Sequence, residues 1–230
     1  MQNSIAKIRN KYTASKSTVD KDSPILYYIL RPLSYYLTLP CLKLGISANQ
    51  VTFIGILFGV AGWILLGMGS YLPMLIGVIL IILYDICDVV DGNIARYKGT
   101  SSAYGAYLDD VVSGAIIMDI VPFTVGIGTG QIFLGSICTI AMLARSVITE
   151  GYSAKFQAKA RGFYRGKEGW SLWTLTYKVG IAVSRSMIWL LLIGAIFDMV
   201  IWVLVFWALL SICEFVAATG WTLIKSRQTE

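Results

Sequence analysis

The feature that most constrains this chain is a succession of apolar stretches separated by short polar breaks, near residues 50–68, 72–91, 104–127, 132–150, 172–195 and 199–223. Each is close to the length, about 20 residues, that an α-helix needs to cross a bilayer. In hydrocarbon the backbone must satisfy its own hydrogen bonds, so the expected class is all-α and polytopic, with six transmembrane helices. Composition agrees: of 230 residues 57% are hydrophobic and 14% charged, whereas soluble domains carry about 25% charged residues. A water-soluble globule, a disordered chain and a fibrous repeat are excluded.

Before the spans, residues 1–23 read as a polar cytoplasmic lead, mobile or surface-lying, with no cleavable signal peptide. Residues 24–46 are aromatic-rich, broken by Pro32 and Pro40, and carry Arg31 and Lys43. That pattern suits an amphipathic helix lying in the interface; five or seven spans would follow if this stretch entered the membrane differently. Residues 47–225 then form the six-helix domain and 226–230 a short tail. Lys and Arg occur in the lead, at Arg96 and Lys98, in the run 155–167 and at Lys225 and Arg227, while the turns near Ser70, 128–131 and 197–198 hold none. An excess of cations marks the cytoplasmic side, so both termini and the second and fourth loops are expected there.

The net charge of +6 does not imply nucleic acid, because the cations flank apolar segments and suit lipid headgroups, the run 155–167 above all. The absence of His removes imidazole bases and ligands. Cys41, Cys87, Cys138 and Cys213 are scattered singly and read as small apolar packers. Trp170, Trp173 and Trp221 read as interface anchors. Gly126, Gly128 and Gly130 lie in an outer loop with no strand before them, so they read as a tight turn. Pro122 is expected to kink the third span.

Carboxylates in or beside a span are costly and mark function. Asp85, Asp88 and Asp91 end the second span, and Asp109 and Asp110 open the third. Asp88 and Asp91 are three residues apart and share a helical face. Carboxylates this close repel unless a cation lies between them. Oxygen-only ligands favour a hard divalent ion, Mg²⁺ or Mn²⁺. Asp109 reaches the same depth from the next helix, and Gly92 and Gly105 allow close approach at each helix end. Arg96 adds a cation suited to phosphate. Such a site suits phosphoryl transfer from a nucleoside diphosphate.

Written out, Asp88-x-x-Asp91-Gly92-x-x-Ala95-Arg96, eight residues, Gly105, three residues and Asp109 resembles the signature of the CDP-alcohol phosphotransferases. The stretch from Gly45 to Thr52 resembles that family's segment before its first span, with Ala48 where the family usually has Pro. The resemblance implies a six-span homodimer with its site on the cytoplasmic face, using a CDP-alcohol donor such as CDP-diacylglycerol. The phospho-alcohol passes to a small alcohol or anionic acceptor and CMP is released. It further implies that Asp88, Asp91 and Asp109 ligate metal at the CDP diphosphate. Gly92, Ala95 and Gly105 would form the cytidine floor, with Arg96 beside the site.

The signature ends in a fourth Asp, and here that position is Ser113. In the family that Asp is a metal ligand and the base for the acceptor hydroxyl; serine is a poor ligand and no base near neutral pH. Ser113 stands about 40° round the helix from Asp109 and faces the same site, whereas Asp110 points about 100° away. Three readings stay open: an already ionised acceptor, a base supplied elsewhere, or a CDP-lipid-binding pseudoenzyme or scaffold. Asp85 is the candidate extra ligand, with Glu214 behind it, and Asp119 lies too deep. Arg145, Lys178 and Arg185 are candidates for a phosphate or acceptor pocket; for Arg185 the bland alternative is an ion pair with Asp119 or Glu214. A prenyltransferase and a small transporter are the remaining competing classes.

Overall fold

The computed structural model describes residues 2–12, 20–21, 23–101, 116–163 and 186–227. Every described element is a helix. Four helices are long and apolar enough to cross a membrane: α3 (Ala48–Gly67), α4 (Tyr71–Lys98), the Ile132–Thr149 part of α6 (Ile132–Phe163), and the Val200–Ile224 part of α8 (Val200–Arg227). The shorter apolar helices Ile116–Gly128 and Ser186–Ile196 (α7) fall within the third and fifth expected spans. The remainder of those two spans, 104–115 and 172–185, lies outside the described residues. The chain is an integral membrane protein. Large apolar side chains such as Phe53, Leu57 and Ile64 on α3 and Leu209, Val216 and Leu223 on α8 are exposed along faces that lipid covers.

Two N-terminal helices precede the spans, α1 (Gln2–Asn10) and α2 (Arg31–Lys43), the latter entered through a π-helical turn at Leu26–Leu30. The described part of the polar lead is packed: Ile8 of α1 is buried against Tyr35 and Leu39 of α2, and Asp20 is fully buried. Composition conceals this because only one face of α1 needs an apolar residue. The corner from α2 to α3 is set by local chemistry. Ile46 N–H donates to the Cys41 carbonyl at 2.9 Å, closing a Schellman turn around Gly45 with φ +74°. Ser47 then caps α3, its side chain accepting from Gln50 N–H while the Gln50 side chain accepts from Ser47 N–H. Ile46 and Val51 staple this entry onto Val90 and Ile94 of α4.

Helices α3 and α4 pack through small residues, the contact that works where lipid offers no hydrophobic drive. Gly55, Gly59 and Gly62 of α3 are buried; a Cβ on Gly62 would lie 3.1 Å from the Gly77 carbonyl, and one on Gly77 3.0 Å from the Gly62 carbonyl. The third span breaks at 119–120, and α5 (Val121–Gly128) restarts with Pro122 in its first turn, where the missing N–H costs nothing. Trp63 Nε1–H caps the carbonyl of Ile117 just before the break, at 3.1 Å.

The turns without Lys or Arg gather at one end. A Cβ on Gly69 would collide with the Gly128 carbonyl, and Tyr71 donates to the Ile196 carbonyl at 3.2 Å. Gly130 turns at φ +72°, whereas Gly126 and Gly128, expected in the same turn, belong to α5. Arg96 and Lys98 end α4 at the opposite end.

The α3–α4 contact makes a prediction. Gly77→Ala meets backbone that cannot swing aside, and is expected to lower stability by about 1–3 kcal/mol in thermal unfolding of the protein in nanodiscs. Gly67→Ala, whose Cβ would meet only a side-chain methyl at 4.0 Å, is expected to leave the midpoint unchanged.

Candidate active site at the cationic end of α4

Helix α4 has 28 residues, about 42 Å at 1.5 Å per residue, so it outruns the hydrocarbon by about two turns. Its apolar part runs from Leu72 to Tyr84, and Asp85, Asp88, Asp91, Gly92, Asn93, Ala95 and Arg96 occupy the remaining turns. The carboxylates therefore stand at the membrane boundary, with Asp85 and Asp88 half-buried and Asp91 buried. Asp91 is held from α3, where the Thr52 hydroxyl donates to its Oδ2 at 2.5 Å. That bond crosses the helix pair brought together by Gly55 and Gly62, and it fixes the rotation of the carboxylate. Thr52 is a site residue that the Asp-rich motif does not mark; it stands three residues before the buried Gly55, on the same face of α3.

Beyond Asp91 the helix narrows at Gly92. The Arg96 guanidinium folds back over it: a Cβ on Gly92 would lie 3.2 Å from both Nη1 and Nη2. Arg96 Nη2 donates to Asn93 Oδ1 at 2.9 Å. Asn93 is buried and fully engaged, accepting also from Arg31 Nη1 at 3.3 Å and donating through Nδ2 to Ser34 Oγ at 2.8 Å and Thr38 Oγ1 at 3.3 Å. The orientation of its amide is unambiguous, because guanidinium groups only donate. Ser34 and Thr38 hand their own protons to the Arg31 and Ser34 carbonyls.

Arg31, read from sequence as an interfacial cation, is buried instead, with Nε 2.9 Å and Nη2 2.5 Å from Asp20 Oδ2. Tyr12 donates to the same oxygen at 2.6 Å and lies under the Arg31 guanidinium. Burial and this bond push the Tyr12 phenol well above its ordinary range, so it remains a donor. A cation near the membrane surface ordinarily snorkels to water; here a buried anion eleven residues earlier removes the need. Nothing in the spacing of Asp20, Arg31 and Asn93 announces that they meet.

The remaining expected site residues divide in two. Arg145 on α6 lies with Nη1 3.4 Å from Glu214 Oε2 on α8, both largely buried, so Glu214 serves Arg145 at that point. Asp119 is buried with the Ser146 hydroxyl 3.5 Å away. Gly105, Asp109, Asp110, Ser113, Lys178 and Arg185 lie outside the described residues, as do 164–167 of the basic run. Among the described residues no group of three or more His, Cys, Asp or Glu side chains gathers to hold a metal. Asp88 and Asp91 fit two of the positions that a hard divalent ion takes, both oxygen donors on one face, one already oriented by a hydroxyl.

The chain matches the CDP-alcohol phosphatidyltransferase family over residues 45–210, and it belongs to that family. Comparison with curated proteins gives no match. The matched stretch opens at the Gly45 corner and contains the Thr52–Asp91 contact and the whole Asp-rich motif. The N-terminal helices α1 and α2, with Asp20 and Arg31, lie before it.

Two substitutions separate the parts of this site. Thr52→Val keeps the shape but removes the proton donated to Asp91, and is expected to weaken metal-dependent nucleotide binding about tenfold, with Thr52→Ser close to native. Gly92→Ala displaces only the far end of the Arg96 side chain, so thermal stability is expected to hold or rise while affinity for a CDP-alcohol falls, as isothermal titration would report.

Proposed function

We propose that the protein transfers a phospho-alcohol group from a CDP-alcohol to an acceptor and releases CMP, in the synthesis of a phospholipid or phospho-polyol. The observation that carries this reading is the family match over residues 45–210, within which the carboxylates, Gly92, Ala95 and Arg96 occupy the motif positions at the membrane boundary. A six-span homodimer, with its site and both termini in the cytoplasm, completes the proposal.

In the reaction an acceptor nucleophile attacks the phosphorus attached to the donor alcohol. The bond from that phosphorus to the CMP oxygen breaks, and the acceptor's proton, where it has one, leaves. Bound Mg²⁺ or Mn²⁺ supplies neutralisation of the diphosphate charge. Asp88, Asp91 and Asp109 hold that ion, with Thr52 orienting Asp91. Ala95 and Gly105 leave room for the cytidine, while Gly92 leaves room for the Arg96 guanidinium that folds over it as a positive group for phosphate. Asp85 is the reserve ligand, and Lys178 and Arg185 are candidates to receive an anionic acceptor. Arg145 is the weaker candidate for that pocket, since Glu214 already neutralises it.

Ser113 bears on the last step. With no carboxylate there, proton removal falls to another group, or the acceptor arrives ionised. A chain that binds CDP-lipid without transferring it is the reading this serine keeps open.

The test uses purified protein in nanodiscs with CDP-diacylglycerol, in Mg²⁺, Mn²⁺ or chelator. Binding is expected only with metal, and is expected to be lost in Asp91→Asn; an absence of binding under every metal overturns the proposal. Release of CMP is then followed with neutral alcohols and with phosphorylated polyols as acceptors. Turnover confined to anionic acceptors identifies the ionised-acceptor route. Absence of turnover that Ser113→Asp restores identifies a binding protein.

A further inference from the structure

The N-terminal segment lies before the residues that match the family, yet it reaches into the motif. Arg31 and Arg96 converge on a single atom, Asn93 Oδ1, at 3.3 and 2.9 Å. Two guanidinium groups this close repel, and the arrangement is tolerable because Asp20, fully buried, neutralises the first. Asn93 cannot rotate to release either, since its Nδ2 is committed to Ser34 and Thr38. Among the described residues, the Arg96 guanidinium is tied to the rest of the protein through its hydrogen bond to Asn93.

From this we propose that Arg31 is a positioning residue: carried by Asp20 and Tyr12, it fixes Asn93 and through it sets the Arg96 guanidinium over Gly92, where a donor phosphate is received. The proposal rests on the reading of Arg96 as a phosphate-binding group. The lead and the interfacial helix thus belong to the donor site, although neither supplies a group that touches substrate. Ser34 and Thr38 belong to the same device, because they hold the amide in the orientation that presents its oxygen to both cations.

The test has two arms, both on full-length protein in nanodiscs. In the first, phenylglyoxal modification of individual arginines is followed by mass spectrometry with no nucleotide present. Arg31→Ala strands a buried Asp20 and risks misfolding, so a paired apolar replacement, D20L with R31M, accompanies it; exchanging a buried ion pair for apolar groups of similar volume is often tolerated. In the double variant Arg96 is expected to react about tenfold faster than in the native chain, the worth of a charged hydrogen bond. Arg145, paired with Glu214 on distant helices, is expected to keep its native rate. An unchanged Arg96, or an Arg145 that accelerates equally, overturns the proposal.

The second arm titrates CDP-diacylglycerol with Mg²⁺ into the native chain, D20L/R31M, Arg96→Ala and the combination. D20L/R31M is expected to weaken binding about tenfold in the native background and to have no further effect once Arg96 is gone. Equal losses in both backgrounds overturn it, since a purely structural role would be additive. Native protein that binds no CDP-alcohol refutes the proposed function instead, and the labelling arm then decides separately whether Arg31 positions Arg96.

Discussion

Everything at the cationic end of this protein depends on how closely α3 approaches α4. The Thr52 hydroxyl reaches Asp91 because Gly55 and Gly62 remove side chains from the seam beside it. A carboxylate buried at the edge of hydrocarbon is costly unless donors are aimed at it. Here the donor comes from a neighbouring helix capped by its own local chemistry at Ser47. The packing of small residues in the apolar part of the membrane and the posture of a carboxylate at its surface are therefore one constraint, expressed at two depths.

The same economy governs the polar cluster below. Asn93 joins α2 to α4 with four hydrogen bonds, two of them donated by cations, one of which the buried Asp20 neutralises. Such a cluster is stable only when complete: removing one partner of a buried ion pair typically costs about 3–5 kcal/mol. The fold carries this burden beside the motif, where an Arg side chain has to be held while its charge remains available.

Much of this was legible in the sequence, and the reasons for the remainder are physical. The apolar runs and the turn at Gly130 are local, so spacing and residue type foretold them. The Asp88–Asp91 pair was visible because helical periodicity places two carboxylates on one face. The roles of Thr52, Asn93 and Asp20 were not visible, because each depends on which helix lies opposite. Arg31 misled for the same reason: a cation among aromatics near the interface has an ordinary surface explanation, and only Asp20 folding onto it reverses that. Arg145 and Glu214 likewise show their pairing only once α6 and α8 are side by side.

At the opposite end, Gly69 and Gly128 press backbone against backbone. Two of the three turns gathered at this end are thus sewn together without side chains, and any tag, loop extension or glycosylation acceptor inserted in either would have to prise them apart. The turn at Phe197–Met199 differs: Phe197 and Met199 are exposed, and Asp198 already holds a left-handed backbone conformation with φ +58°, one a glycine linker adopts without strain. Reporters of membrane sidedness therefore belong in that turn, where they would read the topology without altering the bundle whose topology is in question.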